Sequence, residues 1–214
     1  MEQTNRMRTR VEIRFRKHGD LRMISHRDLV RAFERLFRRA ELELSMSEGF
    51  HPKPRLSFPS ALALGVEALD EVMLVELSQP IDTEDIARRL RSLAPHGLTI
   101  NDVCARPLEE GKPRLERLVY RFPIPEQRRE EVKAAIDHLM SQKSYPIDRE
   151  GRQEPVDVRA GLDELTLVES EVEIAVHAGG DHQVRPREVL NILGLANLES
   201  AGSYLTRTAV EFAP

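Results

Sequence analysis

Residues 10–16, RVEIRFR, alternate strictly. Val11, Ile13 and Phe15 fall on one side; Glu12, Arg14 and Arg16 fall on the other. This period of two predicts a half-buried strand with a charged outer face. KHGD then turns the chain, and LRMI reads as short and extended. From Ser25 the period changes. Leu29, Phe33, Leu36, Phe37 and Ala40 make one helical apolar stripe. Arg27, Arg31, Arg35 and Arg38 recur at spacings of four, four and three, so they share a different face of that helix. Ser25 with Asp28 three residues on matches a capping box in which Asp replaces Glu.

Beyond the helix the chain is turn-rich. In residues 45–54, Pro52 and Pro54 remove two backbone donors and favour an extended path, and Gly49 frees the backbone just before Phe50. Arg55–Phe58 reads as a short strand and the apolar run 72–77 as a buried one. Asp82 or Thr83 caps a helix over 84–93 with Ile86, Leu90 and Leu93 inward, and a strand follows over 98–105. PLEEGKPR, residues 107–114, is a polar linker.

The second half repeats the order, with a strand over 117–124 and a helix over about 126–142 that turns Val132, Ile136, Leu139 and Met140 to one side. Two extended stretches near 144–158 and 162–177, a helix after Pro186 and a final strand over 204–212 complete it. Each half thus runs strand, helix, strand, strand, helix, strand. The expected fold class is α+β, with two tandem ferredoxin-like (βαββαβ) units. Residues 8–106 form the unit with the basic motif and residues 115–214 form the second.

Composition narrows the function classes. The 214 residues are 40% apolar and 32% charged, which suits a folded chain, and no apolar run approaches the length of a membrane-spanning helix. MEQTNRMRTR has no apolar signal core, so the expected compartment is cytoplasmic. Cys104 is the only cysteine, which excludes an internal disulfide and any Cys-rich metal or iron–sulfur site. The net charge of −4 is split unevenly. Residues 1–60 carry 14 Lys/Arg against 8 Asp/Glu, while the remainder carries 18 against 28. Such a split points to a polyanion or an acidic partner at the first segment.

Most catalytic motifs are absent from the sequence. His18, His26, His51, His96, His138, His177 and His182 include no pair at a helical metal-binding spacing, so no metal and no cofactor is expected. GDL, EGF and AGGD lack the glycine spacing of a nucleotide loop. SHRD at 25–28 contains a kinase-like His-Arg-Asp, but no Gly-rich loop or Asp-Phe-Gly accompanies it. What remains is a basic surface. Lys17, Arg22, Arg27, Arg31, Arg35, Lys53 and Arg55 are candidates to meet phosphates, and His26 belongs to the same candidate RNA- or partner-binding surface. Phe50 and His51 are candidates to stack on bases, with Phe50 as a core anchor the competing reading.

Two segments, FRKHGDLRMISHRDLVRAFERLFRRAEL and SMSEGFHPKPRLSFPSALALGVEALDE, together resemble the radical-SAM-linked protein family of unknown function (DUF2344-type). The resemblance rests on a K-x-G-x-L-x-x-x-S-H-x-D-L segment and an S-x-G-F-[HN]-P-[HKR]-P segment. Here these fall on Lys17, Gly19, Leu21, Ser25, His26, Asp28, Ser47, Gly49, Phe50, His51, Pro52 and Pro54, with Gly65 beyond them. It implies a radical S-adenosylmethionine (SAM) protein as partner. The chain lacks a C-x3-C-x2-C run, so it is not itself the radical enzyme.

Three functions are therefore in view. The first is a non-catalytic accessory module that binds RNA (tRNA or rRNA) for that partner. The second is a docking module that grips the partner through the loop, without RNA. The third is a metal-independent RNA-processing enzyme using His26 and His51 with Lys53 or Lys17 as acid and base.

Overall fold

A computed structural model describes residues 8–179 and 183–213; His182 and the first seven residues lie outside that range. The chain is α+β, and it divides in sequence between Pro113 and Arg114 into two compact units.

In the first unit the elements are β1 (Thr9–Lys17), α1 (His26–Arg39), β2 (Leu56–Ser57), β3 (Glu67–Leu77), α2 (Thr83–Leu93) and β4 (Leu98–Arg106). The strands stand in the order β4-β1-β3-β2, and each neighbouring pair is antiparallel. β1 is therefore flanked by the strand made last in the unit. The alternation of β1 sends Val11, Ile13 and Phe15 into one core with Met73, Val75 and Leu77 of β3 and Ile100 of β4. α1 covers that face with Leu29, Phe33, Leu36, Phe37 and Ala40, the stripe its periodicity predicts. α2 adds Ile86, Ala87 and Leu90, and its start is capped by Asp82, whose carboxylate accepts from the Glu84 and Asp85 amides.

The segment read as extended before α1 is not so. Gly19–Met23 is a single 3-10 turn, started by Gly19 at φ 60°. The positive φ reverses the chain after Lys17, and the Gly19 amide donates to Glu67 Oε1 at 2.8 Å.

In the second unit β5 (Leu115–Pro123) leads through a 3-10 turn to α3 (Arg129–Ser141). Two short strands, β6 (Pro146–Ile147) and β7 (Val156–Asp157), pair with each other. Then come α4 (Val158–Gly161), β8 (Leu162–Val168), β9 (Glu171–His177), α5 (Pro186–Ile192), α6 (Ala196–Ser200) and β10 (Thr206–Phe212). The main strands stand in the order β10-β5-β9-β8, again antiparallel. The stretch 162–177 is thus a hairpin rather than one strand, folded at Glu169 with φ 53°. No proline or Asn-Gly pair marks that turn in sequence.

Candidate functional site

The basic motif is built around the start of α1. Ser25 is the N-cap, accepting from the Asp28 amide at 3.2 Å, and its own hydroxyl donates to the Asp28 carboxylate at 2.7 Å. That hydroxyl foremost, with Arg31 adding its charge, holds the Asp28 carboxyl below the usual carboxylate range. His26 takes the first helical position. Its ring meets Phe58 edge to face at 5.0 Å between centroids, and its Nδ1 is buried without a hydrogen-bond partner among the described residues. Burial first, and the charge of Lys17 second, lower the His26 pKa below its ordinary value. At neutral pH the ring is uncharged.

Lys17, grouped above with the surface cations, is fully buried, and its Nζ donates to the Ile24 carbonyl at 3.3 Å. The reason is parity, since residue 17 shares the phase of Val11, Ile13 and Phe15. Its amine supports the turn into α1 instead of presenting a charge to a ligand. Arg22 is half-buried, and its guanidinium donates to the Gly19 carbonyl at 3.2 Å. The turn is clamped from β4's side. The His18 amide donates to Gly97 O at 2.9 Å, and a Cβ added at Gly97 would lie 2.7 Å from the His18 carbonyl and 2.8 Å from Leu21 Cβ. Only glycine fits that approach, which also has φ +84°.

Arg27, Arg31, Arg35 and Arg38 are exposed on α1, opposite the stripe. Among the described residues, Arg31 is the member of this row with an ion pair, a 3.4 Å contact to Asp28.

The loop 45–55 is a narrow hairpin. Ser47 N donates to Lys53 O at 2.8 Å, Lys53 N to Ser47 Oγ at 2.9 Å and Arg55 N to Ser45 O at 2.8 Å. Arg55 Nε closes it again on Met46 O at 3.2 Å. Five residues, Glu48 to Pro52, form the tip, and Gly49 makes the reversal at φ +123°. Phe50 stands on that tip with 103% of its surface exposed. It is not a core anchor. His51 and Lys53, which follow it, are also exposed.

The motif's two histidines have different settings. His26 lies against Phe58 at the foot of α1 and His51 is on the exposed tip, and no hydrogen bond, ring contact or ion pair joins them among the described residues. No group of three His, Cys, Asp or Glu side chains has metal-binding geometry among the described residues. Cys104 is half-buried, and burial, then Glu12, raises its thiol pKa, so it is a poor nucleophile.

Two residues near the loop are not evident from local sequence. Arg10 of β1 and Lys112 of the linker line, with Lys53 and Arg55, a cavity of about 300 Å³ at the hairpin's base. Arg10 sits on the strand's charged face, but only the β1–β3 register and the returning linker bring these groups together.

A family model described as an uncharacterized protein conserved in bacteria (DUF2344) matches residues 10–186. The chain belongs to this family. The DUF2344 match spans both units and every motif residue described above. No curated protein matches the chain. Among solved structures, the chain is similar to one described as an unknown protein from Galdieria sulphuraria, at 13% identity over 97% of this chain and 100% of that one. Its TM-score of 0.29 leaves the fold to be read from this chain alone. No helix among the described residues is long and apolar enough to cross a membrane.

Proposed function

We propose that this DUF2344 protein is a non-catalytic accessory module that binds RNA, tRNA or rRNA, for a radical SAM partner. The observation that carries the reading is Phe50, wholly exposed on a hairpin braced by backbone and side-chain hydrogen bonds. A bare phenylalanine followed closely by a histidine and a lysine suits stacking on an unpaired base while the neighbours meet phosphate. The exposed row Arg27, Arg31 and Arg35 extends the positive surface along α1. The frame we propose is a pair of ferredoxin-like units, a reading supported by the strand orders β4-β1-β3-β2 and β10-β5-β9-β8.

Binding of bulk tRNA, titrated with salt, tests the reading. Affinity is expected to fall steeply with salt, and Phe50→Ala is expected to weaken binding by about 1–3 kcal/mol. Fold stability should stay within about 0.5 kcal/mol, since the ring makes no core contact. Absence of binding at low salt, or indifference to salt, overturns it.

A second reading has its own support. Met46, 47% exposed, shares the hairpin with Phe50, and exposed apolar side chains on a rigid loop also suit docking on a protein surface. Co-purification with the radical SAM partner separates the two. Loss of the partner in Phe50→Ala with tRNA binding intact favours docking.

A further inference from the structure

At one end of the first unit's sheet, charged side chains form a row across the strands. Arg106 of β4 lies opposite Arg10 of β1, and Arg10 lies opposite Glu76 of β3. Glu76 N then donates to Arg55 O at 2.9 Å, so the residue before β2 completes the row. Glu76 is shared by three guanidiniums, with Arg10 at 3.2 Å, Arg8 at 3.5 Å and Arg55 at 3.8 Å. Arg106 is drawn off to Glu12, at 2.7 Å. One carboxylate cannot neutralise three cations, and two of them, Arg10 and Arg55, line the 300 Å³ cavity at the hairpin's base. Lys53 and Lys112 add two ammonium groups to its wall. Ser47 and Ser57 add hydroxyls.

The wall is held in place before any ligand arrives. Arg10 is nearly buried, with 11% of its side chain exposed, and it also donates to the Gly111 carbonyl, which brings the linker and Lys112 over the strand. Arg55 is fixed by Met46 O. Fixed guanidiniums with lysine ammonium groups beside them are the donor set of an oxyanion site, because the fork geometry orients the oxygens and the lysines neutralise charge.

We propose that this cavity binds a phosphate group. The site needs no RNA and so goes beyond the reading above; the group can be the terminal phosphate of an oligonucleotide or that of a small phosphomonoester. Glu76 is no obstacle to a phosphate group, since it is already saturated by arginines and orients them.

The test uses the full chain and inorganic phosphate. Thermal unfolding is followed against added phosphate, with chloride at matched ionic strength as control. Phosphate is expected to raise Tm in a saturable manner where chloride does not. The double variant Lys53→Gln/Lys112→Gln, both exposed and outside the core, is expected to weaken phosphate binding about tenfold with its own Tm unchanged. Competition then identifies the source. Displacement of phosphate by a 5′-phosphorylated tetranucleotide but not by its 5′-hydroxyl form assigns a nucleic acid end, and displacement by glycerol phosphate alone assigns a small molecule. Equal effects of phosphate and chloride, or undiminished phosphate binding in the double variant, overturn the proposal. Failure of tRNA binding in wild type, with phosphate binding intact, would remove the RNA reading and leave this site standing.

Discussion

Gly97 and His26 show how much a single position can hold in this protein. Gly97 has no room for a methyl group and a φ that L-residues rarely adopt. Gly97→Ala is expected to cost about 2 kcal/mol or more, because the His18 carbonyl is backbone and has nowhere to move. Urea denaturation measures this directly, and a loss under about 0.5 kcal/mol would mean the clamp yields freely. His26 carries a pH dependence of known sign. Its folded pKa lies below the unfolded value, so the unfolded chain takes up the proton first. It costs nothing above about pH 6.5 and destabilises progressively below it. His26→Gln should therefore flatten the decline in stability between neutral pH and pH 5, whereas parallel curves for the two proteins would count against the assignment. Residue parity also explains what could be read beforehand. Lys17 shares the phase of Phe15, so its burial was written in the alternation, but a lysine is so rarely buried that residue type overrides phase in any reading of the chain.

At the scale of elements, α1 and the 45–55 hairpin contrast in how they are specified. α1 was legible because periodicity, cap and charge all act within a few residues of one another. Its apolar stripe is buried, Ser25 is the N-cap, and its arginines are outside. Charge reversal on that face, Arg31→Glu/Arg35→Glu, is expected to leave the helical circular dichroism unchanged while weakening tRNA binding and lowering the salt slope by about two. An unchanged slope would move the RNA contact off α1. The hairpin was legible only as a loop. Its pinning bonds run between residues six apart, Ser47 and Lys53, and its base depends on Arg10 from another strand and Lys112 from the linker. Propensity does not encode such encounters. The same limit applies to Gly19–Met23, where one positive φ turned an extended segment into a 3-10 turn.

Across the whole molecule, charge and order of assembly matter most. A net charge of −4 argues against polyanion binding, yet residues 1–60 hold 14 basic residues against 8 acidic. The protein is expected to be retained on heparin at low salt and to elute as salt rises, behaviour set by a local patch rather than by the total. Flow-through at 50 mM salt, roughly two-thirds of the way from a Debye length of 30 Å to one of 10 Å on a logarithmic scale, would show that the patch is neutralised by its surroundings. Order of assembly follows from the clamp on His18. The turn that carries the motif is shaped by a glycine at the edge of β4, so its clamp needs that strand in register on β1. Such closure belongs to the slow, non-local part of folding. During synthesis the ribosome releases the arginine row long before it releases Gly97. A nascent chain halted between the two displays the arginine row before Gly97 can clamp the turn at His18, which makes the first unit's last strand the step that completes the setting of the motif.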